Sequence, residues 1–504
     1  MIGRKSFLVY FNQIFGAITG VIGMFFIARF MANPDFNYGL VNFALGFAGM
    51  FAFIGNIFNR AHVKRISEGQ DEGTCMGTYL SLTTISVAIM LGLSFGGLLF
   101  WKHVLGRGFE SQAHETVLYI ILSFTALKLM GQIGTATFQA KSEIAKREMI
   151  RFMDYNVPTI FIIYVALTGG QAVELAYTYL TGGLLMLLTA VYFLKPIKIK
   201  KPNWKMAKSY WSFGLPSFFI SLTGQLGHKL DIVMIQVFWS SVNVGYYAVS
   251  LRFSALLIGL SSAVVVIVFP TISGHHANSD WKSIKDLVTA TTRYLSMIVT
   301  PIIFFLIVFP EQTITILLSR DFLPSVPVIR IMVINAFFIV LSLPFTTVFN
   351  GINKPKLGAK LMISCNLLNF GLNFLLIPQS LFGIPLLGLR EVGAGIATLT
   401  SSVILLLLVL YFSKREAGTT PYSKIPIHLT AGIIVGILLL MMERHILSLQ
   451  RYYHLALYGI LFLGLYTIIL WIIGEFTRED WNYIWDSLHP KDMFTYIKDE
   501  IKKD

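Results

Sequence analysis

Apolar runs of bilayer length recur along almost the whole chain, and nothing else in the sequence restricts its fold as tightly. About 20 apolar residues in a helix cross the ~30 Å hydrocarbon layer. Such windows fall at roughly 7–31, 38–59, 77–101, 115–138, 152–169, 173–194, 210–238, 244–269, 287–309, 326–349, 360–380, 391–412, 427–446 and 454–474. In lipid, every backbone N–H and C=O must be satisfied within the chain, so these runs fold as helices. The expectation is an all-α polytopic membrane protein with about 14 transmembrane helices. Only 13% of the residues are charged and 55% are hydrophobic, whereas a soluble domain carries about 25% charge. The first run is too long for the apolar core of a cleaved signal and reads as the first membrane helix.

The net charge of +14 could suit nucleic acid, but the distribution of the charges assigns it another role. With the N-terminus in the cytoplasm, alternate links are basic: Arg60, Lys64 and Arg65; then Lys141, Lys146, Arg147 and Arg151; then six lysines between Lys195 and Lys208. The pattern continues through Lys282 and Lys285, Lys354 to Lys360, and Lys414 to Lys424. Of 40 Lys and Arg, 28 fall on this side and 6 on the other, as cytoplasmic loops of a membrane protein require. The reading is a multi-pass protein of the cell membrane with both termini cytoplasmic and no nucleic-acid partner. The tail from Arg478 alternates apolar residues with charges, as an amphipathic helix on the inner membrane face broken at Pro490 would.

Chemistry on a substrate finds little support. No link is long enough for a soluble catalytic domain, and no Asp-x-Asp, His-Glu-x-x-His, Gly-x-Ser-x-Gly or phosphate-binding Gly-x-x-x-x-Gly-Lys occurs. Cys75 and Cys365 are too few for a disulfide framework or a cysteine zinc site. The chain is expected to be a mover of substrate rather than an enzyme, with no metal and no cofactor.

Shifted by 206 residues, the beginning of the chain overlays its middle: Gly39 falls on Gly245, and Ile66 and Ser67 fall on Ile272 and Ser273. Near a shift of 211, TFQAKSEIAK falls on VFNGINKPKL. The sequence therefore divides into an N-terminal six-helix half (1–209), a second six-helix half (210–426), and two added helices with the tail (427–504). Both halves start inside, so the repeats are parallel.

Four stretches carry a family likeness: IARFMANPDFNYGLVNFAL, LDIVMIQVFWSSVNVGYYAVSLRF, VFNGINKPKLGAKLMISCNLLNFGLNFLLIP and EVGAGIATLTSS. In order and spacing over about 400 residues, they resemble the polysaccharide-biosynthesis (O-antigen-type) flippases of the multidrug/oligosaccharidyl-lipid/polysaccharide exporter superfamily. The resemblance implies two six-helix bundles around a central cavity that opens alternately to each face. It implies turnover of a lipid-linked oligosaccharide from the cytoplasmic to the outer leaflet. Two features depart from the pattern. The segment SLFGIPLLGLREVGAG is longer than usual, and the approach to Tyr38 and Gly39 keeps only Asp35 of the usual acidic pair.

A cargo of that kind carries a phosphate or pyrophosphate, and its passage requires cations along a wet, protein-walled path. The candidates are Lys128 near the middle of the fourth span, Lys229, Arg252 and Arg29. Each has a plainer alternative: an ion pair between helices, or for Arg29 a side chain snorkelling to the headgroups. A tight link at 240–243 would leave Asp231 and Arg252 equally far from the turn and at one depth, as a pair or a gate. Asn12, Gln13, Gln132, Gln225, His228 and the helical stripe Asn366, Asn369 and Asn373 are candidates to meet sugar, or else tie helices together. Asp231 and Glu174 are the acids expected within spans, so a coupling H⁺ or Na⁺ would use one of them. Membrane lipids and polysaccharide-assembly proteins are the other expected partners of a monomer. Competing readings are a cation-coupled multidrug antiporter, a peptidoglycan-precursor flippase and a membrane glycosyltransferase.

Overall fold

The computed structural model describes residues 2–103 and 109–481, and the side chains of all of these except 2–11, 13–14, 215–226, 260 and 262–267. Every apolar window of the sequence falls on a helix. In order these are α1 (Ile2–Phe30), α2 (Pro34–Ala52), which continues through a 3₁₀ turn (Phe53–Asn56) into α3 (Asn59–Ser67), α4 (Glu72–His103) and α5 (Gln112–Ala140). Then come α6 (Ile144–Tyr155), α7 (Val157–Leu167), α8 (Ala172–Leu194), α9 (Trp204–Phe238), α10 (Ser241–Ala277) and α11 (Trp281–Val308). The chain goes on through α12 (Pro310–Leu317), α13 (Val326–Gly351) and α14 (Pro355–Leu376), then a two-stranded hairpin of β1 (Ser380–Leu381) and β2 (Ile384–Pro385). It ends in α15 (Arg390–Ala417), α16 (Ile425–His445) and α17 (Tyr452–Ile473).

Among the described residues, 12 helical stretches are long and apolar enough to cross a membrane. The protein is an all-α polytopic membrane protein. Two of these stretches are composite: Pro34–Ser67 joins α2 to α3, and Ile144–Leu167 joins α6 to α7. The break within the second lies at Asn156, just before Pro158, because proline lacks the N–H of a continuing helix and restricts the residue before it. The expected amphipathic tail beyond Trp481 lies outside the described residues.

By contacts the chain forms two compact units, one up to Gly245 and the other from Tyr246. In the first unit α5 packs along α8, and α2 lies against both α5 and α9. In the second, α15 packs on α13 and α14, α11 packs on α13 and α16, and α17 lies on α16.

The repeat has a physical counterpart inside the first unit. A Cβ on Gly39 would stand 1.7 Å from the Ser241 carbonyl oxygen, and one on Gly245 would stand 2.2 Å from that of Asp35. Residues 35 and 241 differ by the same 206 positions as the two glycines. The first turns of α2 and α10 therefore cross reciprocally, backbone on backbone, at residues related by that shift.

In the second unit, α17 is fastened to α11 beyond the end of the span. Arg293 of α11 donates through Nη1 and Nη2 to the two Asp480 carboxylate oxygens at 2.9 and 2.6 Å, and to the Glu475 carbonyl at 2.6 Å. Arg293 is thus a fork-to-fork partner rather than an interfacial anchor. Lys424 and Tyr422 hold the Glu475 carboxylate, each at 2.6 Å. Burial raises the Asp480 pKa, but Arg293 and the Thr477 donors outweigh it and hold the group well below the usual carboxylate range. The cleft here, about 420 Å³, is lined by these same groups, so its principal charges already serve the latch.

Gly39→Ala is expected to destabilise the chain by about 1–3 kcal/mol, as overpacking does. This would be read as a lower thermal midpoint in detergent. An unchanged midpoint would mean that α2 and α10 do not meet at Gly39.

Candidate functional site

The polar groups of the first unit concentrate where α1, α5 and α6 meet. Helical spacing places Arg147, Glu148, Arg151 and Asp154 on one side of α6. Glu148 is buried and takes Arg147 at 2.9 Å and Arg151 at 3.3 Å on one oxygen. Its other oxygen accepts from Asn12 Nδ2 at 2.9 Å, and the same amide reaches the Glu148 carbonyl at 3.2 Å. Asn12 Oδ1 accepts from Asn156 Nδ2 at 2.9 Å, and Thr19 donates to Asn156 Oδ1 at 3.0 Å. This corrects the expectation for Asn12. Buried with partners for both amide atoms, it ties α1 to the α6–α7 break and has little left to offer a sugar. Gln13 and Gln225 have side chains outside the described residues.

Lys128 of α5 lies 2.7 Å from Asp154 Oδ2, with 27% of its side chain exposed and the aspartate buried. Its ammonium also stands 5.4 Å from the Phe124 ring centre and 5.0 Å from that of Tyr155, within reach for cation–π attraction. The other Asp154 oxygen, Oδ1, is buried and has no hydrogen-bond partner among the described residues. Gln132, one helical turn from Lys128, has a buried Oε1 that likewise lacks one. Phe124, Lys128 and Gln132 thus form an i, i+4, i+8 stripe of ring, cation and amide on α5.

Asp154 therefore joins the acids expected within spans, while Glu148 lies in the first turns of α6, ahead of the apolar part of the stretch Ile144–Leu167. The sequence reading started the fifth span at 152, which left Glu148 in a loop and Asp154 at the margin. The helix starts at Ile144. Each of Arg147, Glu148, Arg151 and Asp154 has an opposite charge to meet, and Glu148 an amide as well.

Lys229 of α9 donates to the Gly49 carbonyl of α2 at 3.1 Å. A Cβ on Gly49 would fall 2.8–2.9 Å from the end of the lysine side chain, so glycine there is what admits the ammonium to the carbonyl. No carboxylate pairs with Lys229 among the described residues. Lys128 and Lys229 lie close enough for their charges to repel. Both are half-buried.

The remaining candidates fall in other surroundings. Asp231 is fully buried, with His228 Nδ1 3.6 Å from its Oδ2 and the histidine exposed. The α9–α10 join lies at Trp239 and Ser240, earlier than the turn expected at 241–242. Arg252 is exposed on α10, and Arg29 is exposed in the last turn of α1. Glu174 closes a capping box: its carboxylate accepts from the Gln171 N–H at 2.9 Å at the start of α8. That is an end-capping role, not an acid within the span. Asn369 donates to Thr398 at 3.1 Å and Asn373 to Asn369 at 3.3 Å. Asn369 thus ties α14 to α15 and Asn373 backs it from one turn along α14, while Asn366 is half-buried.

What the first unit offers chemically is a pair of neighbouring ammonium groups inside a membrane protein. One is held by a carboxylate and the other only by a backbone oxygen. An anion entering there would meet two cations and an amide acceptor able to take a hydroxyl proton.

The sequence pattern of a family described as polysaccharide biosynthesis protein matches residues 26–327. The "probable low-salt glycan biosynthesis flippase Agl15" of Haloferax volcanii is 26% identical over 431 residues, 84% of this chain and 86% of its own length. An uncharacterized membrane protein of Methanocaldococcus jannaschii is 24% identical over 352 residues, 67% of this chain and 66% of its own. Among solved structures, the lipid II flippase MurJ in an inward closed conformation superposes with a TM-score of 0.72 at 15% identity, covering 93% of this chain and 99% of that one. An inward-facing multidrug resistance MATE family transporter of the MOP superfamily gives 0.62 at 12% identity, covering 79% and 98%. The two structures share the fold.

Lys128→Met would leave Asp154 charged and unpaired, and is expected to cost about 3 kcal/mol, the low end for breaking a buried pair. The double variant Lys128→Met/Asp154→Leu should recover most of that loss. Chemical denaturation in detergent gives both values. Additive losses in the double variant would mean that the two side chains do not interact.

Proposed function

We propose, on the premise that the chain belongs to the polysaccharide biosynthesis protein family, that it turns a lipid-linked oligosaccharide over from the cytoplasmic to the outer leaflet. The observation that carries this reading is the pair of lysines, Lys128 and Lys229, within membrane-spanning helices of one unit. A polyprenyl-phosphate or -pyrophosphate oligosaccharide joins a greasy tail to a polar glycan through an anion, and the anion is the part that hydrocarbon rejects. Lys229, perched on a carbonyl, can leave it for a phosphate with no carboxylate left bare. Lys128 must exchange Asp154 for the phosphate. In our reading Lys229 takes the anion first and Lys128 second, with Arg252 and Arg29 as further contacts along the route.

Displacing Lys128 leaves the buried Asp154 without its counter-ion. Asp154 thereby joins Asp231 as a candidate for coupling to H⁺ or Na⁺, and Glu174 drops out because it caps a helix. The membrane potential is a further drive on the cargo's charge, at about 2.3 kcal/mol per charge per 100 mV. The family premise and the named relative favour a glycan cargo. A multidrug antiporter would want free acids for cationic substrates, yet Asp154 arrives neutralised by Lys128. The same reading puts the protein in the cell membrane with both termini cytoplasmic.

The test is flipping of a fluorescent polyprenyl-pyrophosphate oligosaccharide in proteoliposomes carrying equal amounts of folded wild type, Lys229→Met and Arg252→Ala. Wild type should flip the lipid, and Lys229→Met should slow it by roughly tenfold or more, about 1.4 kcal/mol of lost stabilisation. Undiminished flipping by both variants would sink the cation assignment and leave the cargo standing. A wild type that flips none of a panel of such lipids but exports organic cations would replace the flippase with the antiporter.

A further inference from the structure

The segment between α14 and α15 departs from the family pattern in length, and the cationic site has no use for it. It folds as a hairpin: Leu381 pairs with Ile384 across a two-residue loop of Phe382 and Gly383. Both loop residues have positive φ, 50° and 82°, the signs that a type I′ turn needs to match the twist of its strands. The hairpin is not loosely hung. Leu386 N–H donates to the Gln379 carbonyl at 2.7 Å, and Gly388 and Leu389 N–H donate to the Pro378 and Leu376 carbonyls at 2.8 Å. Ile377 at its root is fully buried.

Held in this way, the hairpin turns apolar side chains outward. Phe382 is 96% exposed, Ile384 63% and Leu387 64%. No charged residue occurs between Lys360 and Arg390. A rigid apolar projection of this kind on a soluble protein would mark a binding surface. Here its place in the fold says what covers it. α14 has 22 residues, about 33 Å at 1.5 Å per residue, which matches the ~30 Å hydrocarbon layer. The hairpin begins four residues past Leu376, the end of that helix, and so at headgroup depth. α14 itself exposes Leu367, Leu368 and Leu375 along the C-terminal half that leads to the hairpin. The basic residues Lys354, Lys356 and Lys360 lie at the opposite end of α14.

We infer that this hairpin is an interfacial membrane anchor, with Phe382 and Leu387 seated among the headgroups and upper acyl chains beside α14. Large apolar side chains gain from leaving water for the upper acyl chains, and the missing charge removes the cost of entering that zone. The anchor fixes the ends of α14 and α15 at the depth of the interface. On the orientation proposed above, the leaflet is the outer one.

The test uses the full chain with Cys75→Ala and Cys365→Ala, reconstituted in phosphatidylcholine–phosphatidylglycerol vesicles. A nitroxide is attached at Phe382→Cys, at Leu387→Cys, or at Gln450→Cys, an exposed position in the α16–α17 link. Collisions with oxygen, which partitions into lipid, are compared with collisions with a water-soluble nickel chelate. The expected result is oxygen-dominated relaxation at 382 and 387 and nickel-dominated relaxation at 450. Nickel-dominated relaxation at all three would place the hairpin in water and overturn the inference. So would labels at 382 that neither reagent reaches and that broaden one another between molecules, which would make a second copy the occupant. Depth is read whichever leaflet holds the hairpin and whatever the cargo, so failure here and failure of the flippase reading are told apart.

Discussion

A charge within the hydrocarbon layer has to be paired, wetted or rested on backbone dipoles, and much of the first unit is arranged around that requirement. Lys128 meets it with a carboxylate, Lys229 with the Gly49 carbonyl. Each solution constrains its neighbourhood. The first needs α6 to carry an acid into the span, and the second needs α2 to have no side chain where α9 approaches it. The polar face of α6 would be costly alone, so Glu148 is surrounded by Arg147, Arg151 and the Asn12 amide.

These contacts differ in what they permit. The Asn12–Asn156–Thr19 chain uses neutral groups with both amide functions occupied, and such ties, worth about 0.6 kcal/mol each in membranes, hold α1 to the α6–α7 break. The lysine contacts are charged and exchangeable. A carbonyl offers Lys229 a partial charge, while an anionic ligand offers a full one. The neutral ties therefore set the frame, and on the proposed flippase reading the cations are the parts of it that would respond to a ligand.

How much of this was legible in the sequence depended on what each feature requires. The helices were, because bilayer length and backbone satisfaction act on local composition; all the expected windows coincide with helices. The crossing of Gly39 and Gly245 was half legible, since the repeat aligned them without saying that they touch. The partner of Lys128 was not. Asp154 lies 26 positions away in a helix whose start at Ile144 is hidden by its charges, and hydropathy reads a neutralised ion pair as two polar residues. The end of α9 at Phe238 was legible, while α10 starts at Ser241 rather than 244, because the polar Ser241 and Asn243 of its first turn lower the hydropathy there. Asn369 and Asn373 were read as either cavity lining or helix ties. Thr398 decides for ties, and a periodicity confined to α14 does not contain α15.

The order of charge strengths bears on how such a site could work in both directions. Two lysines that repel each other gain most from a ligand that neutralises both, and a diphosphate carries charge enough for two. Once Lys128 has turned to such a ligand, Asp154 stands buried with two unsatisfied oxygens, one of which lacks a partner even now. Its return to Lys128 then favours release of the anion. A carboxylate in this position competes with the cargo rather than assisting its binding. On the proposed flippase reading the pair would thus limit how tightly the anion is held, and a carrier needs that limit as much as it needs the attraction, because cargo bound too firmly would not leave on the far side.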